Sequence, residues 1–149
     1  MRVLARTCLL PALALLACSH AAGKPEEQIA CPQKLAATQE LNGKAPDGWS
    51  VYASRKEHPF TSVSFFSGAP DEEALLAPSK EEKKGKTIIA TWHFANGNET
   101  YWVACGYAGT GVVLARALSK TVDACTVEYD ARFATPVVMN WSCRAAKAR

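Results

Sequence analysis

This sequence predicts an all-β domain: a small antiparallel sandwich or partly closed barrel, disulfide-bonded, with one short helix. Three observations lead there. Seven short runs rich in β-branched and aromatic residues are each bounded by turn residues: Trp49 to Ser54, Thr61 to Ser67, Lys86 to Phe94, Glu99 to Tyr107, Val112 to Leu118, Cys125 to Asp130 and Val137 to Cys143. Helical patterning is confined to PDEEALLAP, Pro70 to Pro78. Four cysteines, Cys31, Cys105, Cys125 and Cys143, share the same stretch. An even number fits two disulfides formed in an oxidising compartment.

The chain has 149 residues, enough for one domain. It opens on MRVLAR, with two arginines and no acid, followed by an apolar run to Ala17. Residues 1–17 therefore read as an export signal, and the run is too short to span a bilayer as a helix. Two processing routes remain open. Leu15-Leu16-Ala17-Cys18 resembles a lipobox, with Cys18 as the lipidated residue, and this is the preferred reading. Ser19-His20-Ala21 suits ordinary signal peptidase, which extends the signal to 21 and removes Cys18. Either route sends the domain to the periplasm, as a membrane-anchored lipoprotein or in soluble or secreted form. Residues 18–30 are small and polar and read as a linker, and 31–149 as a single β domain.

Loss of Arg2 and Arg6 lowers Lys plus Arg from 17 to 15 against 14 acids, a net charge of +1. That balance gives no footprint for nucleic acid. The segment Pro70 to Pro78 reads as the short helix, with Asp71 as N-cap, Glu72 and Glu73 in its first turn and Pro78 as its stop. SKEEKKGK, which follows, reads as a charged loop.

Two hairpins are specified in register. Asn96-Gly97 signals a two-residue type I′ turn, which pairs Trp92 with Tyr101, Ala90 with Val103 and Ile88 with Cys105. Side-chain alternation places these on one face, the candidate core, and His93 with Trp102 on the other. In the second hairpin, centred near Ala134, Val127 opposes Trp141, Tyr129 opposes Met139 and Cys125 opposes Cys143. That register favours Cys125–Cys143 and leaves Cys31–Cys105; Cys105–Cys125 with Cys31–Cys143 remains the alternative.

The order CP (Cys31-Pro32), PDGW (Pro46 to Trp49), FFSGAPDEEALLAP, TWHF, YWVACGYAGT, VVLARALS, ACTVEYD and a terminal cysteine resembles a family of small exported bacterial proteins of unknown function. The resemblance runs from Cys31 to Cys143. It implies export, one domain and four domain cysteines, and it assigns no catalytic residue or cofactor.

Catalytic patterns are sparse. His58, in KEHPF, reads as a solvated loop residue. The acids cluster in predicted caps and loops, which argues against a glycosidase pair. No CxxC or His-x-His spacing offers a metal site, and no cofactor is expected. AGTG at Ala108 to Gly111 precedes a strand and not a helix, so it reads as a turn. The candidate binding face consists of Trp102, His93 and Trp49, since open aromatic side chains hold proteins or sugars well. The expected function is that of a non-enzymatic binding or structural domain of the envelope, with an unknown envelope protein or glycan as partner. A periplasmic inhibitor of a hydrolase such as lysozyme is the alternative, and an enzyme with an unrecognised site is the second.

Overall fold

The computed structural model describes residues 29–52, 56–95 and 97–146. The export signal, Cys18 and most of the expected linker lie outside the described residues. Among the described residues there are eight strands: β1 (Lys34–Ala36), β2 (Glu57–Ser67), β3 (Lys80–Lys84), β4 (Thr87–His93), β5 (Tyr101–Tyr107), β6 (Leu114–Ala117), β7 (Val122–Asp130) and β8 (Val137–Ala145). They form two antiparallel four-stranded sheets, ordered β1-β2-β5-β6 and β3-β4-β7-β8. The all-β prediction therefore holds.

The sheets face each other across a single core. Val63 and Phe65 of β2, Val103 and Cys105 of β5, Ala90 and Trp92 of β4, and Cys125 and Val127 of β7 supply its buried side chains. Phe65 is the centre, with its ring centroid 4.8 Å from Trp92 and 5.8 Å from Phe94 of the other layer. Two disulfides occur among the described residues, and neither joins a strand of one sheet to a strand of the other. Cys31, just before β1, is bonded to Cys105 of β5, and Cys125 to Cys143 joins β7 to β8.

The Asn96-Gly97 hairpin does not form. β4 pairs with β3 and β7, and β5 with β2 and β6, so the chain crosses between sheets after β4. Asn96 itself is outside the described residues. Alternation fixes which side chains of a strand face the core, but not which strand lies alongside. Ala90, Trp92, Val103 and Cys105 accordingly still point into one core, from opposite layers rather than across one ladder.

The β7–β8 hairpin keeps the expected register at Cys125↔Cys143 and Val127↔Trp141. An irregularity at Glu128/Tyr129 then slips the partner of Tyr129 from Met139 to Val138. A one-residue slip reverses the facing of everything beyond it. Val138 is thus half-buried and Met139 is exposed.

Three other segments depart from expectation. SKEEKKGK is largely strand β3, paired with β4 through the two-residue turn Gly85-Lys86, where Gly85 has φ 61. That is the geometry a II′ turn asks of its first central residue. Glu82 lies between Lys80 and Lys84 on one side of the strand and pairs with both. Its charges suit an edge strand, which the sequence pattern alone does not separate from a loop. The short helix shrinks to a 3₁₀ turn, Pro70–Glu72, with Ala69 and not Asp71 at the N-cap. Glu73 turns left-handed at φ 59, and Ser67 N–H and Leu76 N–H then bond to Ala74 O and Phe65 O. Backbone bonding to β2 displaces the helix. Of the strand expected from Trp49 to Ser54, Trp49 to Tyr52 is not in a strand, and Ala53 and Ser54 lie outside the described residues. Strand β1 has only three residues and was not legible.

Candidate partner-binding surfaces

The long connection between β1 and β2 carries the first surface. Its base is closed by Ala37 N–H donating to Lys56 O at 3.2 Å, and Gln39 Nε2 ties it to Gly109 O at 2.9 Å. Pro46 O accepts from Trp49 N–H at 3.0 Å, with Gly48 at φ 83. This is a type II turn, whose third residue needs the positive φ that glycine supplies. The turn leads the chain outward. Trp49 is 75% exposed and Tyr52 86%, with Leu41 and Val51 also open. Long connections between strands are often functional, and open aromatic residues are the commonest anchors at protein interfaces.

The second surface is a groove of about 1050 Å³ beside β8. It is lined by Val138, Met139, Trp141 and Cys143 of β8, by Phe60 of β2, and by the residues leading into β1. Its lining draws on both sheets and on segments far apart in the sequence. Its one sequence signal was the apolar content of VVMNWSC.

The remaining expected site residues are separated. His93 is exposed on the outer side of β4. Trp102 is half-buried on the outer side of β5, in the other sheet. The face proposed for them rested on the hairpin that does not form, so the structure does not bring them together, and Trp49 lies apart in its loop. His58 is not a solvated loop residue. It sits on β2, is 0% exposed, and its Nδ1 lies 2.9 Å from Ala108 O. A carbonyl only accepts, so Nδ1 carries the proton. Among the described residues neither His58 nor His93 has a carboxylate partner, and no cluster of metal-ligating side chains occurs.

Asp130 closes β7 and is buried. It accepts from Arg132 Nε at 2.9 Å and from Arg132 N–H at 3.0 Å. The Arg132 side chain, then its backbone N–H, hold this carboxyl at about 2 instead of 3.8. A carboxylate whose pKa is depressed by folding stabilises the fold above its unfolded value and loses that contribution as pH falls through its folded one. Thermal melts should therefore show wild type losing Tm between about pH 4 and pH 2, with a shallower loss in Asp130→Asn. Parallel curves would remove Asp130 as a cause.

The described residues thus form a disulfide-bonded β-sandwich with an open aromatic loop segment and a groove beside β8. The chain is a member of the Type VI secretion system Tli immunity protein family, whose match covers residues 53–144. It is also 34% identical over 136 residues, 85% of this chain and 88% of the relative, to an uncharacterized 16.3 kDa protein in the trpG 5′ region of Azospirillum brasilense. No solved structure matches. No helix among the described residues is long and apolar enough to cross a membrane.

Proposed function

We propose that this protein is an exported immunity protein that binds a type VI effector in the periplasm and blocks its action. Membership of the immunity family over residues 53–144 carries this reading. It narrows the expected envelope-binding role to inhibition of a protein partner, without lysozyme as a particular target. The disulfides fit the oxidising compartment that the export signal implies. The preferred N-terminal route, lipidation at Cys18, would hold the domain to the membrane by a short tether; the mass of the native N-terminus tests it. We assign the Trp49–Tyr52 arm as a contact with the effector, through its open aromatic side chains.

The test is survival. A susceptible bacterium expressing the full chain is challenged by the type VI-armed producing strain. Protection is expected from the exported chain and not from a version lacking residues 1–21. Trp49→Ala with Tyr52→Ala should weaken effector binding on the order of 10–100-fold, as anchor truncations do. Unprotected cells carrying the folded, exported wild type would refute the immunity reading.

A further inference from the structure

At the start of β2 a side chain takes the place of a backbone donor. Ala108 N–H donates to Pro59 O at 2.9 Å. Two residues paired in this way in an antiparallel ladder exchange both bonds, so residue 59 would donate back to Ala108 O. Proline has no N–H to give. Ala108 O accepts from His58 Nδ1 instead, also at 2.9 Å. The ring of His58 is fully buried, and its Nε2 has no partner among the described residues. A buried ring with one nitrogen unpartnered destabilises a core that an apolar side chain could fill. What the ring supplies is the donor that the neighbouring proline removes.

This bond acts beyond the core. It holds the peptide between Ala108 and Gly109 against β2. Gly109 then takes φ 72, a value that suits glycine, and its carbonyl accepts from Gln39 Nε2 at 2.9 Å. Gln39 begins the long connection that carries Trp49. Residues 38–52 are exposed except Ala45, which is half-buried, so apolar packing does little to orient them. The Lys44–Asp47 ion pair and the Trp49 N–H bond to Pro46 O lie within the segment. Among the described residues, the bond from Gln39 to Gly109 is what joins residues 38–52 to the sheets.

We propose that His58 and Gln39 are positioning residues. His58 holds the Ala108-Gly109 turn from inside the domain, Gln39 ties the arm to that turn, and the effector meets Trp49 and Tyr52 already oriented. This rests on the reading of the arm as an effector contact. Orienting a binding segment in advance raises affinity by removing part of the ordering cost of association.

Trypsin tests the tie in the full chain, exported and purified, and the survival assay tests its use. Lys44 lies in the arm and Lys120 in the β6–β7 turn, and both are exposed. Cleavage is followed by mass after reduction, because the Cys31–Cys105 bridge would retain the fragment cut at Lys44. Gln39→Ala and His58→Leu should be cut after Lys44 about fivefold faster than wild type, the factor that one hydrogen bond supplies, with cleavage after Lys120 unchanged. His58→Leu/Pro59→Ala restores an N–H opposite Ala108 O and should return to the wild-type rate. A double variant cut as fast as His58→Leu overturns the proposal, since the volume of the ring and not its donor would then be the cause. A wild-type rate in Gln39→Ala overturns it whether or not His58→Leu folds, because Gln39 is exposed and its loss leaves the core intact. Recipients carrying Gln39→Ala should be protected about fivefold less well than those carrying wild type, following the lost affinity. Full protection by Gln39→Ala overturns the proposal and leaves the immunity reading intact. No protection by wild type refutes that reading, and the effector contact with it, whatever trypsin shows.

Discussion

Removing the Cys31–Cys105 bridge should destabilise the domain by about 4.5 kcal/mol, the loop-closure entropy of a cross-link of this span. The bonded residues are 74 positions apart. The bridge ties the segment before β1 to the middle of β5, two parts of the chain that no hydrogen-bonded ladder joins directly. Unfolded, the reduced chain regains the freedom of that whole loop. The second bridge spans 18 positions, for which the same relation gives about 3 kcal/mol. It joins strands already paired in register at Cys125↔Cys143, so the ladder retains the geometry when the bond is lost. The order of the two effects is thus fixed by chain length and by what else holds each site. Urea unfolding of Cys31→Ala/Cys105→Ala against Cys125→Ala/Cys143→Ala measures it. The first pair should also lower Tm by roughly 15–25 °C for a domain of this size. A larger loss in the second pair would show that the strand pairing, and not the long loop, depends on its disulfide. In a domain whose total stability is expected at about 5–15 kcal/mol, the first variant stands near the limit of folding.

Which parts of this architecture were legible follows from what each signal encodes. A strand's alternation is a local property of its own side chains, so the inward sets Ala90 with Trp92 and Val103 with Cys105 could be read directly. Partnership is not local. Asn96-Gly97 carries the composition of a tight hairpin, yet β7 completes the ladder of β4 and β2 that of β5. The same contest decided the helix: Asp71 and its neighbours have helical caps, but the chain after Glu73 bonds to β2. Where pairing and proximity coincide, as between β7 and β8, register was recoverable as far as the slip at Tyr129. That slip is what exposes Met139, so the most useful part of the groove was the part least visible in the sequence. Trp49 was legible as an open aromatic residue, although not as a member of a loop; His93 and Trp102 were separated as soon as their strands went to different sheets.

Phe65→Ala should cost about 3–5 kcal/mol, the range for truncating a phenylalanine in a closed core. Phe65 is 0% exposed. Phe65-Phe66 is an adjacent pair on β2, so alternation sends one ring inward and leaves the other half-buried. The inward ring meets Trp92, Phe94 and Trp141, the last at 6.5 Å from β8. Edge and tilted contacts of this kind add about 0.5–1.5 kcal/mol each beyond burial. A methyl group in its place leaves a void between the two layers that neither sheet closes alone, since each is held by its own ladder. Phe65→Leu fills much of that void and should cost less, on the order of 1–2 kcal/mol. Tryptophan fluorescence during urea unfolding reports both the loss and its location, because Trp92 and Trp141 border the removed ring. A loss below about 1 kcal/mol in the alanine variant would contradict a core centred on Phe65. Trp141 links this result to the surface: it packs edge-on against Phe65 and lines the groove beside β8.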